Sequence, residues 1–198
     1  MNDCRLGPTP QAPITLICAG QSDKGMAFAS EHCDINFVSS ESVNAPAACV
    51  PMVARLHAAS QRAGRSIEAF LLVIVIADET DEAARAKWEH YKQGVDLEAL
   101  AWASEQAAAD TKAATYSTAG RLRQLRTGGE AEDGPLPTRM GRLIGSYATV
   151  ARLLDEIAKI PGVGGVMLTF DDFLIGMEQF GHRIQPVMQS RALRRIAA

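Results

Sequence analysis

Residues 69–76 read Ala-Phe-Leu-Leu-Val-Ile-Val-Ile, and this stretch is the strongest indication of a strand in the chain. The run is apolar throughout rather than alternating, and its second half is entirely β-branched. Uninterrupted apolar runs are typical of parallel strands that are covered on both faces, and this one is far too short to span a membrane. The stretch therefore predicts a buried parallel strand in an α/β fold.

Three further strands are predicted, and helical patterns separate them. The strands cover residues 14–18, 35–38 and 165–170. Of the six predicted helices, the first starts at Ser22 or Asp23, and the second covers 44–63 with Gly64 as its cap. The third runs from 78–82 to about 93. The fourth and fifth cover 97–109 and 147–160, and the last ends at Met188. This alternation implies βαβ units and a parallel sheet with right-handed crossovers. Four units would make half of a (β/α)8 barrel, although a doubly wound four-stranded sheet fits the pattern equally well.

The stretch from Asp110 to Gly141 breaks this rhythm. It is rich in Thr, Gly, Arg and Pro and has little apolar periodicity. Such long loops are uncommon in compact domains and are usually either functional or disordered. We interpret the stretch as a long insertion, either a lid over an active site or a disordered excursion. Regular structure returns at Gly145 and Ser146, which are predicted to cap the next helix.

Composition and charge argue against several classes of site and partner. The chain has 198 residues, of which 47% are hydrophobic and 22% charged, so it can bury a core. Its net charge of −3 argues against nucleic-acid and anionic-membrane partners, which need a concentrated basic field. No signal-peptide segment follows Met1, and no metal-binding spacing relates the four cysteines, Cys4, Cys18, Cys33 and Cys49. We expect no metal site and a cytoplasmic location.

The turn between the first strand and its helix is where the sequence indicates chemistry. Residues 18–26 read Cys-Ala-Gly-Gln-Ser-Asp-Lys-Gly-Met. The start of a helix can bind an anion because its backbone N–H groups are free and its dipole end is positive. Gly20 and Gly25 permit close approach of a phosphate, and the Ser22 hydroxyl can donate to a phosphate oxygen. A Walker A loop is excluded because Met26 stands where that motif needs Lys. On pattern alone, a plain helix cap is the commoner explanation for Ser22.

Residues 17–29, Ile-Cys-Ala-Gly-Gln-Ser-Asp-Lys-Gly-Met-Ala-Phe-Ala, resemble the flavin phosphate-binding segment of the bacterial luciferase-like monooxygenases. Within that family the similarity is to the branch of nitrilotriacetate and alkanesulfonate oxygenases, and there to the pyrimidine monooxygenases. Six further blocks lie in family order along the chain, at residues 1–5, 75–81, 84–92, 145–148, 168–173 and 183–186. The resemblance thus runs from one end of the chain to the other, with a weak match over 110–141.

The resemblance implies an enzyme that uses reduced FMN and O2 to open the ring of uracil or thymine, giving a ureidoacrylate-type product. A separate flavin reductase would supply the reduced FMN from NADH. Ser22 matches the serine that holds the FMN phosphate, and Ala19, Gly20 and Gln21 are expected alongside it. In the family, four βα units would precede Met1. The chain 1–198 is therefore expected to be the C-terminal half of a single barrel domain, and the resemblance assigns no catalytic residue to it.

Several hypotheses stay open beside this one. Half a barrel exposes two sheet edges, so we expect poor stability, self-association into a homo-oligomer, or dependence on an N-terminal partner. Asp171, Asp172 and Phe173 follow the last strand, where they either line the pocket or cap the closing helix. Trp88 and Tyr91, at i and i+3 of one helix, are predicted to serve either core packing or packing of the barrel helix. The functional alternatives are a related oxygenase acting on a sulfonate or another heterocycle, and a non-catalytic half-barrel module.

Overall fold

The computed structural model describes residues 7, 10–39, 42–108 and 140–191. The strands are β1 (Ile17–Cys18), β2 (Ile35–Val38), β3 (Glu68–Asp78), β4 (Gly141–Ser146) and β5 (Val163–Phe170). The helices are α1 (Asp23–His32), α2 (Val50–Ala63), α3 (Asp81–Gln93), α4 (Leu97–Ala108), α5 (Tyr147–Ile157) and α6 (Phe173–Gln179). The α/β class with a parallel sheet is confirmed. Nearly all of the predicted insertion, residues 110–139, lies outside the described residues.

β3 is the centre of the parallel sheet. Its residues 69–71 pair with β2 and β5 at the same time, so these two strands lie on opposite edges. Residues 73–78 of β3 pair with β4. Because β5 pairs with residues 73–75 on one edge of β3, β4 must lie on the opposite edge, where it follows β2. β1 pairs with β2. Because all the pairings are parallel, the loops after the strands meet at one end of the sheet.

The sequence predicted four strands, and the missing one is β4. Its short Gly-Arg-Leu-Ile-Gly segment carries no long apolar run, and Gly145 and Ser146 were assigned only to a helix cap. Ser146 does cap α5, where its Oγ accepts from the Thr149 N–H at 3.3 Å. The strand forms by pairing with residues 73–78 of β3. On its outer edge, the Asn44 side chain donates to the Ile144 carbonyl and accepts from the Ile144 N–H, both at 2.7 Å.

The prediction of a buried first strand over 14–18 is wrong in both length and burial. Only Ile17 and Cys18 form β1, and the side chains of Ile14, Leu16 and Ile17 are at least half exposed. The reason is position. Within the described part of the chain, β1 pairs only with β2 and has no strand on its other edge. An apolar β-branched run therefore indicated a strand correctly, but could not show that it would lie at an edge.

The two faces of β3 are covered differently. Its odd-numbered side chains, among them Leu71 and Val73, share one core with α2 and α5. That core includes the predicted stripe of α5, namely Val150, Leu153, Leu154 and Ile157, which is confirmed. On the opposite face Phe70, Leu72 and Ile74 are only partly buried. There Ile76 is covered by Ala84 and Trp88 of α3, so the prediction that Trp88 packs in the core is confirmed.

Prolines and glycine set the helix ends. The helix predicted from 44 begins at Val50, after a 3-10 turn over Pro46–Cys49, and it closes at Gly64 with φ of 65° as expected. The last predicted helix is not continuous to Met188. α6 ends at Gln179 and passes into a π-helical turn (Phe180–Ile184) and a 3-10 turn (Gln185–Val187), where Pro186 has no N–H to continue the ladder.

Within the described ranges, every helix is too short or too polar to traverse a lipid bilayer.

We predict that Leu71→Ala lowers the free energy of unfolding by about 2–5 kcal/mol, the usual range for a leucine removed from a packed core. Leu71 is 1% exposed at the centre of β3. Leu97→Ala in α4 is the control, because Leu97 is 62% exposed and its loss should change stability by less than about 0.5 kcal/mol. Urea unfolding followed by circular dichroism measures both. Equal losses in the two variants would contradict this placement of the core.

Candidate functional site

The turn after β1 lies at the end of the sheet where the strands finish. Ser22 is the N-cap of α1: its Oγ accepts from the Gly25 N–H at 3.1 Å, and its carbonyl accepts from Met26 at 2.8 Å. The plain cap is therefore present. An oxygen that accepts in this way still carries its own proton, which it can donate to a ligand. The N–H groups of Asp23 and Lys24 come before the first intrahelical bond and have no acceptor within the helix.

Two glycines make the turn compact. The backbones of Gly20 and Gly25 touch, and a Cβ added to Gly20 would stand 2.7 Å from the Gly25 Cα. Such a contact excludes any side chain at either position without backbone movement. Gly20, Gln21 and Ser22 are partly buried, whereas Ala19, Asp23 and Lys24 are exposed. The main chain of the turn is thus within reach of a ligand from solvent.

Two side chains that sequence reasoning missed hold this turn from β2. Asn36 Nδ2 donates to the Gly20 carbonyl at 3.0 Å. Ser39, directly after β2, donates from Oγ to the Gln21 side-chain oxygen at 3.0 Å. The available signal was Asn36 itself, an amide inside the otherwise apolar strand Ile-Asn-Phe-Val. The structure therefore brings three of the predicted site residues, Gly20, Gln21 and Ser22, into one braced turn.

Charge at the start of α1 is balanced by a neighbouring helix. Asp23 in the first turn would repel an anion, but its carboxylate binds the Arg55 guanidinium of α2 at 2.6 Å. The Asp23 side chain is largely exposed, so the pair adds little to stability. Its consequence is electrostatic. The positive end of the helix dipole is left without a bare negative charge beside it.

A second polar cluster lies where β3 and β5 end. The Tyr91 hydroxyl donates to Asp171 Oδ2 at 2.8 Å, Lys87 binds Asp78 at 2.9 Å, and Arg183 contacts both Glu79 oxygens at 2.6 and 2.7 Å. The Tyr91 and Arg183 contacts tie α3 and the loop before it to the segment after β5, whereas the Lys87 pair ties α3 to the end of β3. Tyr91 is 40% exposed, so it does not pack in the core, which is the first of the two roles predicted for it. Asp172 caps α6 by accepting from the Ile175 N–H at 3.0 Å, and Phe173 is exposed.

Hydrogen bonding shifts the pKa values in this second cluster. The hydrogen bond to Asp171, helped by partial burial and by the negative charge of that carboxylate, raises the pKa of Tyr91 to about 12. The hydrogen bond from Lys87 lowers the pKa of Asp78. Asp171 therefore acts as an acceptor for α3 in this structure. In the ranges that the structure describes, no three His, Cys, Asp or Glu side chains converge as a metal site would require.

Comparisons with known proteins agree on one family. The family model described as luciferase-like monooxygenase matches residues 2–161. The pyrimidine monooxygenase RutA of Cronobacter sakazakii is 53% identical over 191 residues, which are 96% of this chain and 54% of that protein. RutA of an Escherichia coli strain is 53% identical over 192 residues, which are 97% of this chain and 51% of that protein. The chain thus spans about half the length of the curated relatives it matches.

Solved structures show the same fold at lower identity. DmoA from Hyphomicrobium sulfonivorans superposes with a TM-score of 0.68 at 20% identity, over 94% of this chain and 44% of that one. The EDTA monooxygenase of Chelativorans sp. BNC1 gives 0.63 at 20% identity, over 93% and 48%. At this identity the likeness concerns the fold alone.

We predict that Asp171→Ala lowers the pKa of Tyr91 from about 12 toward its ordinary value of 10, because the acceptor and its charge are lost. In the unaltered protein, this raised pKa contributes stability that is complete below pH 10 and is lost as the pH rises toward 12. Phenolate absorbance measured against pH gives the shift, and Tyr91→Phe identifies which signal belongs to Tyr91. A Tyr91 titration unchanged by Asp171→Ala would show that the contact does not exist in solution.

Proposed function

The chain belongs to the luciferase-like monooxygenase family, and we propose on that basis that it is part of a flavin-dependent enzyme that oxidises pyrimidines. The substrates would be uracil or thymine, and the ring would be opened to a ureidoacrylate-type product. The observation that carries the proposal is the 53% identity to pyrimidine monooxygenases over nearly the whole chain. The EDTA monooxygenase, whose name gives a different substrate, is only 20% identical and shows the fold alone, so it gives no comparable support for another substrate.

The part of the reaction that we assign to this chain is binding of the FMN phosphate. Ser22 would donate its hydroxyl proton to a phosphate oxygen, and the N–H groups of Asp23 and Lys24 would donate beside it, with Ala19, Gly20 and Gln21 lining the turn. The residues fit a phosphate because Ser22 still has a proton to give, the two glycines keep side chains out, and the dipole end is positive. Reduced flavin, when bound, supplies the electrons that activate O2. A separate flavin reductase using NADH, in the cytoplasm, would deliver it.

We further propose that residues 1–198 form the C-terminal half of one (β/α)8 barrel domain. Within the described residues, the outer edges of β1 and β5 carry no strand. Apolar side chains are exposed next to both edge strands. They are Ile14 and Leu16 before β1, and Phe173 and Leu174 after β5, where Leu174 is 82% exposed. Four further βα units would pair with both edges and cover the open face of β3. A homo-oligomer would then form between complete barrels.

We predict uracil turnover in a chimera in which this chain replaces the part of the Cronobacter sakazakii relative that it matches. The assay contains FMN, NADH, a flavin reductase, O2 and uracil, and mass spectrometry detects the ring-opened product. The chain alone should show none, because half a barrel lacks half of the pocket. A chimera that binds FMN but consumes neither uracil nor thymine would contradict the proposed substrate. Turnover by the chain alone would contradict the half-barrel proposal.

We predict that Ser22→Ala in this chimera weakens FMN binding by about 10- to 100-fold, the loss expected for one hydrogen bond to a charged group. Binding of riboflavin, which has no phosphate, should be unchanged. Ser146→Ala is the matched control, because it removes the same kind of helix cap from α5 and lowers stability by about 1 kcal/mol without touching the turn. Fluorescence titration measures both affinities. An unchanged FMN affinity in Ser22→Ala would remove Ser22 from the phosphate site.

A further inference from the structure

Asn36 is an unfavourable residue for the position that it occupies. Its side chain is 0% exposed in the middle of β2, and its Oδ1 has no hydrogen-bond partner. A buried acceptor without a partner costs about 1–3 kcal/mol. An apolar residue would avoid this penalty in a strand whose other residues are Ile, Phe and Val. The one bond that Asn36 does make, from Nδ2 to the Gly20 carbonyl at 3.0 Å, is therefore the feature that explains the amide.

That bond fixes the orientation of a peptide plane in the phosphate turn. The Gly20–Gln21 peptide is trans, like all those described, so its carbonyl and its N–H point in opposite directions. Holding the Gly20 carbonyl toward Asn36 consequently directs the Gln21 N–H away from β2. Ser39 acts on the next group along the chain, since its hydroxyl holds the Gln21 side-chain oxygen at 3.0 Å. The two bonds fix both the main chain and the side chain of the turn.

We infer that Asn36 and Ser39 are positioning residues for the flavin phosphate. They do not touch the ligand. They hold the Gly20–Gln21 peptide so that the turn is already in its binding conformation, which avoids the free energy of ordering it when the ligand arrives. The inference rests on the proposed phosphate site, and it adds that the selectivity of that site for phosphate depends on the neighbouring strand.

The test compares FMN with riboflavin in the chimera described above. We expect Asn36→Ala to reduce the ratio of riboflavin Kd to FMN Kd by about twofold to tenfold, the loss of one neutral hydrogen bond, while riboflavin affinity is unchanged. Ser39→Ala should act in the same direction. Asn44→Ala is the matched control, because Asn44 also binds main chain through its amide, but in β4, and should leave the ratio unchanged. Equilibrium dialysis gives the affinities, and thermal unfolding reports how the stability of each variant changes.

Each outcome bears on the inference. An unchanged ratio in a folded Asn36→Ala protein would overturn it, and so would an equal fall in Asn44→Ala, which would reveal a general effect of destabilisation. If Asn36→Ala does not fold, Ser39→Ala decides, because it removes only a hydroxyl. An unaltered chimera that binds riboflavin as tightly as FMN would instead refute the phosphate site itself, and the inference with it.

Discussion

The pairing of β3 on both edges is the constraint on which the structure depends. Residues 69–71 hold β2 and β5 in place together, and 73–78 carry β4. Through β2, the same strand fixes β1 and the turn that follows it. Since every strand is parallel, this register also decides which loops lie side by side. The polar groups after β1, β2, β3 and β5 reach one end of the sheet for this reason, and a barrel of this type binds its ligands there.

In the proposed phosphate site, one serine would serve structure and function together. A helix cap and a phosphate ligand are often treated as competing explanations, yet Ser22 accepts from Gly25 with its lone pair and retains a proton to donate. The other demands on the turn are met by separate residues. Gly20 and Gly25 supply the close approach, Arg55 offsets the acid at Asp23, and Asn36 braces the main chain. In the proposed site, these contributions together would preorganise the turn for an anion.

Features that depend on local sequence could be predicted, and features that depend on distant partners could not. The apolar run of β3, the stripe of α5 and the left-handed Gly64 follow from neighbours within a few residues. β4 escaped prediction because its partners are distant in sequence: β3 pairs with it, and Asn44, 100 residues before Ile144, binds its outer edge. The bond from Asn36 to Gly20 spans 16 residues and joins two elements. Family resemblance selected Ser22 and its neighbours, but it could not show what holds them.

The most direct test of the central claim is a crystal structure of the chimeric barrel with FMN bound. We expect a phosphate oxygen within hydrogen-bond distance of Ser22 Oγ and others facing the N–H groups of Asp23 and Lys24, while the Gly20 carbonyl still accepts from Asn36. A phosphate bound elsewhere, or a turn covered by the rest of the barrel so that no ligand reaches it, would contradict the account.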